Sequence, residues 1–302
     1  MDVSIIIVNY FTSNLVHDCL KSIEENSKDF SYEIIIIDNS ANEEEFKKIV
    51  EFCRVFKNIK AFSAGGNIGF GRANNFARQK AEGEYLFFLN SDTVLQNNAV
   101  YILFDNAKKL KRCGALVPSL YDGNGNLNTA FVDDEKVLYK ATRIFNPLLV
   151  YRSLTHSLKQ NKTSKVKEIS GYLSGAAFFV KKSIFDEVGG FDNDIFMYAE
   201  DAELSMLIKN KGYKLYSVPN AKITHFEGTS DEKTYSDFKV KNYVDGNCTF
   251  VKKVFGDEKL KIHVKTSVKA YKIKGLILTL LNKKTSSKNK QKLMIEYKNR
   301  LN

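Results

Sequence analysis

The sequence predicts an α/β fold: a mostly parallel central sheet with helices on both faces, followed by a helical, basic C-terminal extension. Three observations predict it. Short continuous apolar runs alternate with helix-period segments through the first 120 residues. A polar cluster follows three of those runs. Positive charge collects at one end, with thirteen Lys or Arg against three Asp or Glu from Asp257 to Asn302, whereas the first 256 residues hold 33 basic and 32 acidic side chains. Alternating strands and helices imply right-handed crossovers and a sheet covered on both sides.

The elements follow in order. Val3 to Val8 is an unbroken apolar run, as expected of a strand buried on both faces. A helix follows from Ser13, with Leu15, Cys19, Leu20 and Ile23 at helical spacing. Glu33 to Ile37 is a second strand ending in Asp38, and a helix over Glu43 to Cys53 leads to a third strand, Ile59 to Phe62. A glycine-rich turn and a helix precede a fourth strand, Tyr85 to Leu89. The stretch Tyr121 to Lys167 opens with a turn signal, DGNGN, and reads as helices and loops. Gly171 to Val180 reads as one buried strand, and Ala199 to Asn210 as a helix with Leu204, Leu207 and Ile208 on one face. From Ser230 the chain reads as helical and increasingly basic.

Composition narrows the function classes. The chain has 302 residues, enough for one large domain and an appendage, and 43 % hydrophobic residues support a substantial core. No apolar stretch approaches the roughly 20 residues that cross a bilayer. The N-terminus shows no basic leader, so a cytoplasmic protein is expected. Cys19, Cys53, Cys113 and Cys248 are scattered, which suits reduced thiols better than disulfides or a zinc site. The basic tail suggests an anionic partner, such as a membrane surface, a nucleic acid or another protein, or else a solvated end. It lacks interleaved aromatics and any nucleic-acid-binding module, so no nucleic-acid partner is expected. The membrane reading places Ile262, Lys265, Lys269, Lys272, Ile273, Leu276 and Leu280 on one helix face against the inner surface of the plasma membrane.

In an open parallel sheet, ligands bind beyond the carboxyl ends of the strands. Asn9 and Tyr10 follow the first strand, Asp38-Asn39-Ser40 the second, and Asn90-Ser91-Asp92 the fourth. Each cluster alone reads as helix capping or a turn; three at one sheet edge read as a site. The segment GGNIGFGRANN, Gly65 to Asn75, follows the third strand rather than the first. That position argues against nicotinamide binding but suits close backbone approach to a ligand.

The ordered set SIIIVNY, IIIIDNS, GGNIGFGRANN, YLFFLNSD and GGFD followed by YAEDAEL resembles glycosyltransferase family 2, the inverting nucleotide-sugar enzymes of GT-A (nucleotide-diphospho-sugar transferase) fold. The wording GNIGFGRANN with LNSD is most similar to its rhamnosyltransferase-like branch. The resemblance runs from Val3 to Ser230 and implies a catalytic domain over residues 1–228, with a nucleotide half to about 120 and an acceptor-side half beyond, before a 229–302 extension. It implies that Asn9 and Tyr10 border the nucleotide and that Asp38 accepts from the pyrimidine N3–H. Asn67, Gly69 and Arg72 to Asn75 would lie against the nucleoside and diphosphate. Asn90, Ser91 and Asp92 stand where the family's DxD motif lies, with Asp92 and His225 completing a Mg²⁺ or Mn²⁺ site. Gly228 and Ser230 would close that loop. Asp201 matches the catalytic base, beside Glu200 and Tyr198 on the acceptor side.

The residues' own chemistry agrees. Sugar transfer expels a nucleoside diphosphate, and a divalent cation held by carboxylate and phosphate oxygens stabilises its growing charge. Asn90 in place of an acid removes one negative charge from that site. His225 alone reads as an ordinary buried or capping histidine. Glu200 and Asp201 open a helix whose dipole favours negative charge, and Glu203, on another face, reads as solvated or structural. The expected activity is inverting transfer from a dTDP- or UDP-sugar to a lipid-linked or surface glycan. The alternative is a non-catalytic nucleotide-sugar-binding or scaffolding protein of the same fold.

Overall fold

A computed structural model of the chain describes residues 1–132, 165–226 and 235–301. Most of the irregular middle stretch, the boundary expected at 228, and Gly228 and Ser230 lie outside the described residues.

The N-terminal part alternates as its sequence predicts: β1 (Val3–Asn9), α1 (Ser13–Asn26), β2 (Tyr32–Asp38), α2 (Glu43–Val55), β3 (Ile59–Ser63), α3 (Phe70–Arg78) and β4 (Tyr85–Asn90). Then come β5 (Thr93–Leu95), α4 (Ala99–Lys109), β6 (Cys113–Tyr121), β7 (Leu127–Asn128) and β8 (Phe131–Val132). After the gap follow β9 (Lys167–Ile169), β10 (Tyr172–Leu173), β11 (Ala177–Lys181), α5 (Lys182–Glu187), α6 (Glu200–Asn210) and β12 (Lys214–His225). The chain closes with α7 (Asp237–Phe255), α8 (Asp257–Leu280) and α9 (Lys284–Asn299).

The main sheet runs β3-β2-β1-β4-β11-β6-β12-β5. Strands β3, β2, β1 and β4 are mutually parallel, as are β6 and β12, while β11 runs antiparallel between β4 and β6. Ile5 to Ile7 and Ile34 to Ile37 are buried throughout, which is why these strands carry no alternation of apolar and polar residues. Each such side chain contributes about 1.5–3 kcal/mol on burial.

The single strand expected over Gly171 to Val180 is two strands. Between β10 and β11 the backbone leaves the ladder, where Ser174 N–H donates to Ala130 O and Gly175 N–H to the Asp201 carboxylate, at 2.9 and 2.8 Å. The break falls at Ser174-Gly175, a local turn signal, and the fold supplies partners for the freed N–H groups.

The C-terminal helices form a second core of Val240, Val244, Val264, Tyr271, Leu293 and Tyr297. Helix α7 also packs on the catalytic part: Phe250 and Val251 meet Ala202 of α6 and Val132 of β8. Lys253 Nζ reaches Asp192 at 2.5 Å and Asp194 at 2.8 Å. On α8, His263, Val264, Ser267, Tyr271 and Gly275 are buried. The face read as membrane-facing, including Ile262, Ile273, Leu276 and Leu280, points to solvent. Among the described residues, no helix is long and apolar enough to cross a membrane.

Candidate active site

Strand register brings the polar strand ends into one corner. Asn9 pairs in register with Asp38, and Val8 with Asn90, so the three polar strand ends sit side by side on adjacent strands. Asn9 and Asp38 are buried and hydrogen-bonded, Asn9 Nδ2 donating to Asp38 Oδ1 at 2.8 Å. Asn9 Oδ1 accepts from Thr12 N–H and Oγ1–H, turning the chain into α1. Ser40 Oγ donates to Asp38 Oδ2 at 2.9 Å. An ionised carboxylate has lone pairs for more than two donors, so Asp38 retains acceptor capacity. Tyr10 stands half exposed above this corner with Phe11 edge-on to it, their centroids 5.1 Å apart.

Glu45, to which the sequence reading gave no role, braces this corner from α2. Its carboxylate takes Ser13 N–H at 2.8 Å, Ser13 Oγ–H at 3.0 Å and Asn9 Nδ2 at 3.3 Å. Burial pushes its pKa up, but these hydrogen bonds outweigh that and leave it below the usual value. Its one sequence signal is the cap pattern Asn42-x-x-Glu45, in which Asn42 Oδ1 accepts Glu45 N–H.

The glycine-rich loop is tied to β2 by Asn39, which accepts from Ile68 N–H at 2.9 Å and donates to Asn67 Oδ1 at 3.1 Å. Gly69 has φ +89°, and a Cβ there would lie 2.4 Å from Phe196 O, so only glycine fits. Two expected donor ligands point elsewhere. Arg72 Nε donates to Asn193 O at 2.7 Å. Asn75 spends both ends of its amide on Phe191, donating to its O at 2.7 Å and accepting from its N at 3.0 Å. Both side chains clamp the GGFD turn, because α3 packs against that turn and not across the strand-end corner.

The Asp92–His225 corner is made by β12 pairing antiparallel with β5, which sets His225 opposite Thr93. His225 Nε2 is then 3.1 Å from Asp92 Oδ1 and 3.3 Å from Asn90 Nδ2. Phe226 N–H donates to Asp92 O at 2.9 Å, and Thr12 Oγ1 and Ser91 Oγ lie 2.9 Å apart. An oxygen and a nitrogen ligand at about 2.1 Å from one ion, at right angles, are about 3 Å apart. At 3.1 Å the two groups are in direct hydrogen-bond contact, a spacing that two ligands of one divalent cation would also take. No group of three or more His, Cys, Asp or Glu that could hold a metal ion occurs among the described residues, so a cation at this pair would need its other ligands from outside the protein.

Asp201 lies at the start of α6. Its Oδ2 accepts Gly175 N–H at 2.8 Å and its Oδ1 accepts Ala202 N–H at 2.7 Å. Asn90 N–H donates to Ala176 O at 2.9 Å, so two hydrogen bonds through residues 175–176 connect the Asp92–His225 corner to Asp201. Tyr198 and Ala199, just before the pair, both have left-handed backbones, φ +72° and +76°. Such consecutive positions cost about 1–3 kcal/mol each and persist only where packing imposes them. Helix α7 supplies that packing: a Cβ on Gly246 would lie 2.1 Å from Tyr198 O.

The two neighbouring acids differ from Asp201. Glu200 is buried, with Oε2 lacking a hydrogen-bond partner. Burial, and then the Asp201 charge, push its pKa up to about 8. Glu203, expected to be solvated or structural, is 4 % exposed. It faces inward toward Asp192 because α7 covers that side of α6. Burial and the Asp192 charge raise it to about 7. Both are mostly protonated or close to half-titrated at neutral pH.

The sequence profile of the family described as "Glycosyl transferase family 2" matches residues 4–189. The chain belongs to glycosyl transferase family 2. Among similar proteins is the Mycobacterium tuberculosis N-acetylglucosaminyl-diphospho-decaprenol L-rhamnosyltransferase, 26 % identical over 187 residues, 58 % of this chain and 61 % of that one. Rhamnosyltransferase WbbL of Escherichia coli K12 is 26 % identical over 249 residues, 78 % of this chain and 87 % of that one. A structure of GalNAc-T7 with UDP, GalNAc and Mn²⁺ superposes with TM-score 0.64 at 20 % identity, covering 90 % of this chain and 51 % of the other. The mannosyltransferase PcManGT from Pyrobaculum calidifontis, with GDP-Man and Mn²⁺, superposes at 0.58 and 14 % identity, covering 99 % and 86 %. These two likenesses establish the GT-A fold.

Within this family 2 chain, the strand-end residues Asn9, Asp38, Asn90 and Asp92, the loop residues Asn67 and Gly69, and His225 share one edge of the sheet. Asp201 adjoins them. Thr12 and Glu45 build the same edge without being singled out in sequence, Glu45 showing only a cap pattern. Asn39, visible as part of the polar cluster after the second strand, has partners that the sequence does not reveal. The Thr12–Ser91, Asn39–Asn67 and Glu45–Asn9 contacts span 28 to 79 residues.

Proposed function

We propose that this chain is an inverting glycosyltransferase. It moves a sugar, dTDP-rhamnose or a UDP-sugar being the first donors to try, onto a lipid-linked or surface-polysaccharide acceptor. The observation that carries the reading is the Asn90–Ala176 and Gly175–Asp201 pair of hydrogen bonds, which sets one carboxylate beside the Asp92–His225 corner. The rhamnosyltransferase relatives support the choice of donor and of acceptor class.

In this mechanism Tyr10 covers the nucleobase and Asp38 takes its imino N–H. Asp92 and His225 would hold a divalent cation, which would supply positive charge to the leaving diphosphate. Asp201 takes the proton of the acceptor hydroxyl as the new bond forms on the opposite side of the sugar. Glu200, protonated at neutral pH by its burial, leaves Asp201 without a second negative charge at its side.

The membrane reading belongs to the same proposal. Ile273, Leu276, Ile277, Leu280 and Leu281 are exposed at the far end of the α8–α9 hairpin, Leu280 by 85 %. Lys269, Lys272, Lys283 and Lys284 surround that apolar tip in sequence. Apolar side chains ringed by lysine suit the inner face of an anionic membrane, where a lipid-linked acceptor lies.

The experiment is a panel of nucleotide sugars with purified protein, read by nucleoside diphosphate release, beside Asp201→Asn, Glu200→Gln and Glu203→Gln. Asp201→Asn keeps shape and loses basicity. Its turnover should fall roughly 100-fold or more with donor affinity near normal. Near-normal turnover in Asp201→Asn, or collapse only in Glu203→Gln, would assign the base elsewhere. Donor binding with no consumption of any donor would favour a binding protein.

A further inference from the structure

The strand-end corner around Asp38 is a closed ring of hydrogen bonds. Asp38 Oδ2 accepts Ser40 Oγ–H at 2.9 Å, Ser40 Oγ accepts Asn42 N–H at 3.2 Å, and Asn42 Oδ1 accepts Glu45 N–H at 2.9 Å. The Glu45 carboxylate returns to Asn9 Nδ2 at 3.3 Å, and Asn9 Nδ2 to Asp38 Oδ1 at 2.8 Å. Asn9, Asp38, Ser40 and Glu45 are all buried. Each Asp38 oxygen is therefore held by a member of this ring, and the ring closes through the Glu45 side chain.

Glu45 has a second duty at the start of α1. Thr12 precedes that helix but makes no side-chain cap, and the first turn of α1 holds no acid. The Glu45 carboxylate takes Ser13 N–H and Oγ–H instead, at 2.8 and 3.0 Å, satisfying one of the donors that a helix start leaves open. A buried carboxylate is costly unless hydrogen-bonded. Here its donors all belong to the β1–α1 turn, apart from Lys48 at 3.5 Å on its own helix. The Thr12 hydroxyl, not spent on capping, donates to Asn9 Oδ1 at 3.0 Å; its one proton being used, Ser91 Oγ–H must donate to it at 2.9 Å. Asn9 Oδ1 also takes Thr12 N–H at 3.0 Å, which closes the turn that carries Tyr10. Both ends of the Asn9 amide are thus assigned, two carboxylates facing Nδ2 and two Thr12 donors facing Oδ1. What Asp38 offers a ligand is its remaining lone pairs.

We propose that Glu45 is the positioning residue for base recognition. By closing the ring it fixes the rotamer of Asp38, and by holding Ser13 it fixes the turn that presents Tyr10. A uracil or thymine, with a donor at N3, is then preferred to a cytosine, with an acceptor there. This role rests on the transferase reading above, in which Asp38 takes the imino N–H.

Two substitutions separate reach from charge. Glu45→Gln keeps an acceptor at the same distance, and the Ser13 hydroxyl can turn to accept from the new amide. Glu45→Asp keeps the charge but withdraws the oxygens by one methylene. Calorimetry with UDP, CDP and inorganic pyrophosphate at fixed Mn²⁺ is run on the native chain, on both variants and on Glu45→Ala. Glu51→Gln, exposed on α2 and paired with Arg54, is the control. The native chain should prefer UDP to CDP by roughly tenfold or more. Glu45→Asp and Glu45→Ala should lose most of that preference through weaker UDP binding, with pyrophosphate binding within about twofold of native. Glu45→Gln should keep it. In turnover, Glu45→Asp should raise the donor KM about tenfold and leave kcat near native, because Asp92 and Asp201 keep their places. Should Glu45→Ala fail to fold in melting curves, the comparison of Glu45→Gln with Glu45→Asp carries the test. Full base preference in Glu45→Asp, or equal loss in Glu45→Gln and Glu45→Asp, would overturn the proposal. So would UDP and pyrophosphate binding that fall together, the mark of a residue that merely holds the fold. An unchanged base preference with donor consumption intact overturns this role alone, whereas a preference that moves as expected in a chain that consumes no donor overturns the transferase reading alone.

Discussion

Replacing Gly246 by alanine should disable catalysis from a helix that touches none of the reacting atoms. The added Cβ would lie 2.1 Å from Tyr198 O and 2.8 Å from Met197 O, with Tyr198 C at 3.2 Å. Non-bonded carbon contacts settle at about 3.5 Å, so α7 or the Met197–Ala199 backbone must move by about 1 Å. That backbone cannot absorb the shift locally, because Tyr198 and Ala199 already occupy left-handed conformations. The displacement passes to Asp201, two residues after Ala199. A 1 Å misplacement of a reacting group costs on the order of 100-fold in rate, and overpacking costs about 1–3 kcal/mol of stability. Donor binding should survive, since Asn9, Asp38 and Asn90 lie on β1, β2 and β4. The assay is turnover by nucleoside diphosphate release beside donor calorimetry and thermal melting. Gly275→Ala is the control, because a Cβ there meets only ordinary contacts beyond 3.8 Å or so, the nearest being Gln291 Cγ at 3.8 Å. Normal turnover and an unchanged melting temperature in Gly246→Ala would refute the seating of α7 on the approach to α6.

Three further outcomes are expected. Asp92→Ala should abolish transfer and weaken donor binding, while Asn90→Asp should be tolerated and tighten Mn²⁺ binding; full activity in EDTA would sink the cation's role. Glu200 holds a proton in the folded state up to about pH 8 but only to its ordinary value of 4.5 once unfolded. The folded chain therefore binds more protons between those limits, and stability should fall as pH rises from about 4.5 to 8. Glu203, raised to about 7, adds to the same decline. Melting curves across that range should show it, and Glu200→Gln should reduce the slope while leaving the Glu203 share; an unaltered slope would show that Glu200 does not contribute. Leu276→Ser with Leu280→Ser should release the chain from anionic liposomes without changing its melting temperature, and high salt should weaken the lysine contribution. Unchanged sedimentation of the double variant with liposomes would exclude the hairpin tip as the anchor.

Much of this molecule was legible in its sequence because the relevant signals are local. Buried parallel strands need unbroken apolar runs, and Ile5 to Ile7 and Ile34 to Ile37 supply them. Strand ends need polar residues, and period-two pairing in register then forces Asn9, Asp38 and Asn90 together whatever lies between them. The glycine at 69 announces a close backbone approach, though not that Phe196 O is the group approaching.

Tertiary structure decided what depends on partners distant along the chain. Arg72 and Asn75 belong to a motif that reads as donor-binding, yet α3 aims them at the GGFD turn. The strand expected over 171–180 breaks at Ser174-Gly175, a local turn signal, and Asp201 holds the freed Gly175 N–H, a partner that only the fold supplies. Glu203 reads as solvated or structural from sequence, and the fold decides for burial; its raised pKa follows from that burial and from Asp192. The basic C-terminus illustrates both limits. Its charge and helical period were visible residue by residue, but one face of α8 packs on α7 and α9 while the other stays open. Sequence determines which faces are apolar; only the packed chain determines which of them find a partner, because burial depends on what the rest of the molecule brings within reach.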